Sequence, residues 1–405
     1  MELRPERLAL ALGYNTEVVD GSVAVVGVGH AGFAPRFAGV SYKELMHEAA
    51  RRAYAEAGID PRRDVDSFVC VSEDLEEGTS IFDEYVPDQL GAVRRPVQTV
   101  TADGLHGVAT AVMLIRSGVA RVVAVEGHRK ASDVRTPGRV ERFALDPIWN
   151  RPLEVPVAAL AGLDMLRYLE RSGETEERCA LVAARHRRTA LANPRAAYAA
   201  DLTPEEVRGS PPISWPLRSL DVASPADGAV VVVLAARERA LDLTDRPVWV
   251  AGVGWCNGSS SLETRDWGRA TAVARAAAMA YRQAGIEEPA ASVDVVELDD
   301  AFSYRALLHL EALGLAPEGQ AGGMLEAGRF DRDGTSRVNP SGGALGEGHL
   351  GEGAGLARLS ACVAQLRGEA GRSQVPGARV AVAQSWRGFP SDSAAVAVLR
   401  AEEAG

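Results

Sequence analysis

Two stretches of this chain repeat each other, and the duplication restricts its architecture more than any other feature of the sequence. Residues 22–29 read SVAVVGVG and residues 247–254 read PVWVAGVG. Each is a continuous apolar run ending in glycine, the pattern of a strand covered on both faces. An alanine-rich helix follows each run after a loop. The first closes with Ala53-Tyr54-Ala55-Glu56-Ala57-Gly58, the second with Ala280-Tyr281-Arg282-Gln283-Ala284-Gly285. Glycine at these ends suits a left-handed C-cap. A Val-Asp pair then opens a second apolar strand, at Val65-Asp66 and again at Val293-Asp294. A third unit, glycine-rich turn, helix and strand, spans Gly107 to Glu126 and recurs from Gly355 to Gln384. Gly29 aligns with Gly254 and Asp66 with Asp294, so the offset grows only from 225 to 228 residues.

Strands alternating with helices predict parallel sheet joined by crossover helices. The expected fold is therefore α/β: two βαβαβ-type halves forming a layered α/β/α/β/α core. The halves fall at 1–240 and 241–405. The first contains an insertion, 129–218, that has no counterpart in the second. Within it the sequence predicts a helix over about 154–170 and a basic helix around Arg185-His186-Arg187-Arg188. An insertion of this kind is expected to fold over one face of the core and shape substrate entry.

Composition narrows the function classes. The net charge is -11 over 405 residues, which opposes a phosphate backbone or an anionic membrane surface. The four cysteines, Cys70, Cys179, Cys256 and Cys362, lack CxxC spacing and read as reduced thiols. No apolar stretch has the length of a membrane span, and the opening residues lack a basic region followed by an apolar core. The expectation is a cytoplasmic protein with neither nucleic-acid nor membrane partners. His30, His47, His128, His186 and His309 show no metal-site spacing, so no metal is expected.

The stretch Asn339-Pro340-Ser341-Gly342-Gly343-Ala344-Leu345-Gly346-Glu347-Gly348-His349 resembles the C-terminal signature of the thiolase superfamily. Asn193-Pro194, Pro216-Leu217, Pro225-Ala226-Asp227-Gly228-Ala229 and Val293 to Phe302 resemble its sterol carrier protein X branch. The resemblance covers nearly the whole chain and implies a thiolase-like duplicated fold that acts on acyl-CoA. Family members hold the acyl group on a cysteine at a helix N-terminus. Here the matching turn is Gly104-Leu105-His106-Gly107, which puts Gly104 at the cysteine position, or Asp103 if the loop is shifted by one residue. In the branch motif E-x-H-D-C-F, Asp299 stands for the histidine and Ala301 for the cysteine. A late C-x-G-G cysteine is matched by no cysteine in Gln384 to Gly388.

What the resemblance leaves is enolate chemistry. His349 is the candidate hydrogen-bond donor, and Gly348 shapes its turn. Backbone N–H groups between Gly104 and Gly107 are candidate oxyanion donors. Asp299 and His106 are candidate bases, Asp300 a brace for the turn, and Tyr304 a candidate proton donor. The expected reaction is retro-aldol cleavage or formation of a carbon-carbon bond beside a coenzyme A thioester. No bound cofactor is expected. Two other readings stand beside it: a non-catalytic acyl-CoA-binding or scaffolding subunit, and an acyltransferase by family similarity, for which Cys256 is the best-placed thiol. By resemblance the chain forms a homodimer, and a small partner with an OB fold and a zinc ribbon is expected. Arg185, Arg187 and Arg188 are the candidates for the coenzyme's phosphates.

Overall fold

The computed structural model describes residues 22–73, 81–259, 261–331, 337–389 and 391–401. In the first half, strand β1 (Val23–Ala34) leads to helix α1 (Tyr42–Ala57), then β2 (Ser67–Val71), β3 (Val97–Val100), α2 (Gly104–Arg116) and β4 (Val122–Arg129). The insertion contributes α3 (Pro137–Arg142), α4 (Val157–Ser172), α5 (Glu176–Thr189) and a short hairpin, β5 (Pro212–Ser214) and β6 (Leu217–Arg218). Strand β7 (Asp227–Ala236) completes the half. The second half repeats the order with β8 (Val248–Asn257), α6 (Thr271–Ala284), β9 (Val295–Glu297), α7 (Ser303–Ala312), β10 (Arg337–Val338), α8 (Gly343–Glu347), α9 (Ala354–Arg367), β11 (Val380–Trp386) and β12 (Ser393–Arg400).

The sheet order, β10-β9-β11-β12-β8-β1-β7-β4-β2-β3, is the same five-strand sequence read outward in both directions from the β1–β8 junction. That junction is only two residue pairs wide, Ala24 with Trp249 and Val25 with Val248. Helices α2 and α9 pack against strands of both five-stranded sets and form the middle layer. Helix α1 covers the outer face of the first set and α6 that of the second. Three buried apolar clusters follow from this layering, one under α1, one between the sheets, and one under α6, α7 and the insertion helices. Each fully buried Val or Leu in them contributes about 1.5–3 kcal/mol. The layered α/β fold expected from the duplication is present.

The repeated residues have a structural purpose. A Cβ on Gly27 or Gly29 would collide with backbone of α1, and one on Gly252 or Gly254 with backbone of α6. Glycine there lets each helix lie directly on its strand. Asp66 accepts the N–H groups of Arg121 and Val122 at 2.7 and 3.0 Å, and Asp294 accepts those of Arg379 and Val380 at 2.8 and 2.9 Å. One carboxylate thus ties the start of the neighbouring strand in both halves.

The sheet corrects one expectation. Strand β2 is parallel to β3 and β4, and β9 to β10 and β11, but β7 and β12 run antiparallel to β4 and β11. The sheet is mixed in both halves although the connections differ: β12 follows β11 closely in sequence, whereas β7 follows β4 only after the whole insertion. In the insertion, α5 packs on α7 and α8, and the hairpin lies beside α4.

Candidate active site

A cavity of about 310 Å³ opens where the two halves meet, at the C-terminal ends of the parallel strands. Its walls come from the starts of α2 and α9, the ends of β4 and β11, the loop after β9, and α3 of the insertion.

His349 lines this cavity. Its N–H donates to the Ser224 carbonyl at 2.8 Å and its carbonyl accepts from Ala226 at 3.1 Å, so the backbone around the ring is fixed. The Gly351 N–H donates to Nδ1 at 3.2 Å. A nitrogen that accepts from a backbone amide carries no proton, so the ring hydrogen sits on Nε2. Burial, reinforced by Arg129 at 3.4 Å from Nδ1, holds the imidazole pKa down to about 3. His349 is therefore a neutral N–H donor across the physiological range. Gly348 before it has φ 110° and lies against Ala226 and Tyr198, a left-handed position that suits glycine.

Asp299 also lines the cavity. Arg358 bonds one carboxylate oxygen at 2.9 Å and Arg305 the other at 3.1 Å. Burial alone would raise its pKa, but the two guanidiniums outweigh it and hold the carboxyl at about 2. It is a fixed anion with both oxygens engaged, not a free base. Arg305 is itself stacked over Phe302 and Trp386 at 4.6 and 4.8 Å. Asp300 braces the next turn, accepting from Ala344 at the start of α8 at 2.7 Å and meeting His186 Nδ1 at 2.7 Å.

At the start of α2 the two residues matched to the cysteine position differ in the space around them. A Cβ on Gly104 would stand 2.5 Å from Leu356 Cγ and 2.8 Å from the Leu356 nitrogen, so a side chain there has no room. Asp103 is the residue of this turn that lines the cavity. Its carboxylate accepts from the Leu105 N–H at 2.9 Å and from the Gly355 N–H at 3.0 Å, capping α2 and the start of α9 together. The turn's amides are thereby partly used by the chain's own carboxylate, and Gly107 packs toward Val71 and Val125. Among the described residues no cysteine lines the cavity; Cys70, Cys179 and Cys362 are buried elsewhere and Cys256 is half-buried in β8.

Other sequence expectations fall outside. His106 faces an adjoining cavity of about 550 Å³, with Nε2 2.9 Å from the Ser393 hydroxyl. The two cavities share Glu73, Thr101, Ala144 and Arg387. Tyr304 is fully buried and donates to Asp164 at 2.9 Å, and burial raises its pKa far above the ordinary phenol range. It does not reach the site and cannot supply a proton there. Arg185 and Arg188 line a separate groove, and Arg187 donates to backbone carbonyls of Leu220 and Val222, so the basic helix does not serve this cavity.

The sequence reading missed Arg129, Arg358, Arg387, Glu73, Glu141 and Glu352, all of which line the cavity. Arg387 Nη2 lies 2.5 Å from Glu73 and 3.3 Å from Glu352. Arg129 at the end of β4 was findable, because residues at the C-terminal ends of parallel strands face ligand crevices. Glu141 gave no signal, since its helix belongs to an insertion without a repeat partner.

The fold is that of a thiolase-type α/β protein, and comparison with known proteins agrees. Residues 255–401 match the family described as thiolase C-terminal domain-like. The chain is 32% identical over 366 residues to an acetyl-CoA acetyltransferase of Methanothermobacter thermautotrophicus, covering 88% of this chain and 94% of the relative. It is 28% identical over 388 residues to sterol carrier protein 2 of Bos taurus, covering 89% of this chain and 69% of that protein. Among solved structures, one described as Ltp2-ChsH2(DUF35) aldolase aligns with a TM-score of 0.81 at 25% identity, over 96% of this chain and all of that one. This chain belongs to the thiolase superfamily.

Proposed function

We propose that the protein acts on acyl-CoA thioesters and makes or breaks a carbon-carbon bond, retro-aldol in type, through a stabilised enolate and without an acyl-cysteine. The observation that carries this reading is the pairing, in one cavity, of a neutral Nε2–H donor on His349 with no cysteine among the described lining residues. In cleavage of a β-hydroxyacyl-CoA, a base takes the hydroxyl proton and the Cα–Cβ electron pair moves onto the thioester carbonyl. His349 donates to the developing oxyanion. Arg129 sits beside it as a fixed positive charge. The name of the structurally similar aldolase supports this reaction class.

A small OB-fold, zinc-ribbon partner belongs to the same reading, in keeping with the ChsH2(DUF35) component of that aldolase's description. A homodimer does too, since among the described residues β3 is a terminal strand of the sheet with one unpaired side. A cytoplasmic setting accords with four unpaired thiols, and no helix of the described residues is long and apolar enough to cross a membrane.

The test is incubation of the chain, alone and with a candidate partner, with a panel of β-hydroxyacyl-CoA esters. Release of an aldehyde or ketone and a shortened acyl-CoA is expected. An unchanged substrate pool, with acyl-CoA binding intact, favours the non-catalytic subunit instead. The name of the archaeal relative favours a second reading, acyl transfer. Trapping with radiolabelled acyl-CoA decides it, since a protein-bound acyl group would displace the enolate proposal.

A further inference from the structure

The enolate reaction needs a group that takes one proton from oxygen and returns it to carbon, and most acidic or basic side chains in the cavity are already engaged. Both oxygens of Asp103 accept backbone N–H groups, and both oxygens of Asp299 accept guanidinium N–H groups. Glu73 and Glu352 are paired with Arg387. His349 has its acceptor nitrogen filled by Gly351. Glu141 differs from all of these. It lines the cavity from α3, and among the described residues its carboxyl has charges facing it but no hydrogen bond or ion pair.

We propose that Glu141, carried into the cavity by the insertion, is the proton-transfer residue of the site. This rests on the enolate reading above. In the cleavage direction the Glu141 carboxylate takes the β-hydroxyl proton while the Cα–Cβ bond breaks. The electron pair passes to the thioester carbonyl as an enolate. The same carboxyl then delivers that proton to Cα, giving a carbonyl compound and a shortened acyl-CoA. One proton moves from oxygen to carbon, and no co-reactant is consumed.

The charges facing Glu141 suit the task. Arg129 at the end of β4 and Arg387 after β11 favour its ionised form, while Glu352 before α9 opposes it. Burial is the largest influence on it; it outweighs the arginines and raises the pKa above the ordinary carboxylate value. As a base it must be ionised, so the rate should fall as pH drops through that raised pKa.

The experiment is exchange of the α-hydrogens of acetyl-, butyryl- and octanoyl-CoA in D₂O, a half-reaction that needs the base and the enolate but no bond cleavage. It is followed by mass spectrometry for the full-length protein and for Glu141→Gln and Glu141→Asp. Glu141→Gln is expected to lose about 100-fold or more in exchange rate, with acyl-CoA Kd within threefold. Glu141→Asp should be intermediate. The acid limb of the wild-type pH profile should vanish from the residual Glu141→Gln rate. Equal exchange by wild type and Glu141→Gln would overturn the assignment of Glu141 and leave the enolate reading standing. A matching loss of acyl-CoA binding would overturn it in favour of a structural role. No exchange by the wild type overturns the enolate reading and this inference together.

Discussion

At the scale of single residues, His349 is the most exacting position, because its usefulness depends on which nitrogen carries the proton. His349→Gln keeps an N–H donor and should retain more α-hydrogen exchange than His349→Ala, for which a loss of about 100- to 1000-fold is expected. Gly104 gives a second test. A cysteine placed at that position has no room for its side chain, which meets Leu356. Gly104→Cys should cost about 1–3 kcal/mol in a denaturant titration and yield no trapped acyl-enzyme. The third prediction concerns pH. Glu297, fully buried beside Ser341, has its pKa pushed up to about 8 by desolvation. A carboxyl held above its unfolded value of 4.5 favours folding most below that value, and stability falls as pH rises from 4.5 to 8. Glu297→Gln should flatten that fall in a pH series of urea titrations. Asp299 has the opposite sign: its contribution is present above its unfolded value of 3.8 and lost as pH drops through about 2.

At the scale of elements, the duplicated strand-helix units were legible because glycine, alanine and aspartate mark contacts that only those residues allow. A Cβ at Gly254 would strike the Ala276 carbonyl, so Gly254→Ala should push α6 off its strand and lower thermal stability, by about 2 kcal/mol or more. The same marks are missing where the reading failed. Strand direction is not written in the apolar pattern, and β7 and β12 are antiparallel although one follows a long insertion and the other a short link, so neither was foreseen. Arg358 and Arg305 each lie on a helix next to a motif that was recognised, yet which face of the helix turns toward Asp299 is a matter of packing. Whether Gly104 or Asp103 matches the cysteine is a register question, and the crowding at Leu356 that bears on it is invisible in the sequence. Glu141 sits on a six-residue helix of an unrepeated segment, where periodicity carries no information.

At the scale of the molecule, the two halves share one interior. The cluster between the sheets draws Leu105, Val108 and Val125 from the first half and Leu356, Leu359 and Ala383 from the second. Calorimetry and circular dichroism should therefore report one coincident unfolding transition; two separated transitions would show that the halves are independent. The double cap made by Asp103 has a wider consequence. Two helix starts aim at this pocket, and their combined dipoles would ordinarily welcome an anion. A resident carboxylate already collects part of that attraction. In the proposed reaction, stabilising a negatively charged intermediate would thus fall less to backbone than to the Arg129 guanidinium and the His349 imidazole, whose identities a handful of codon changes can rewrite. A pocket organised this way can change its reaction without rebuilding its scaffold.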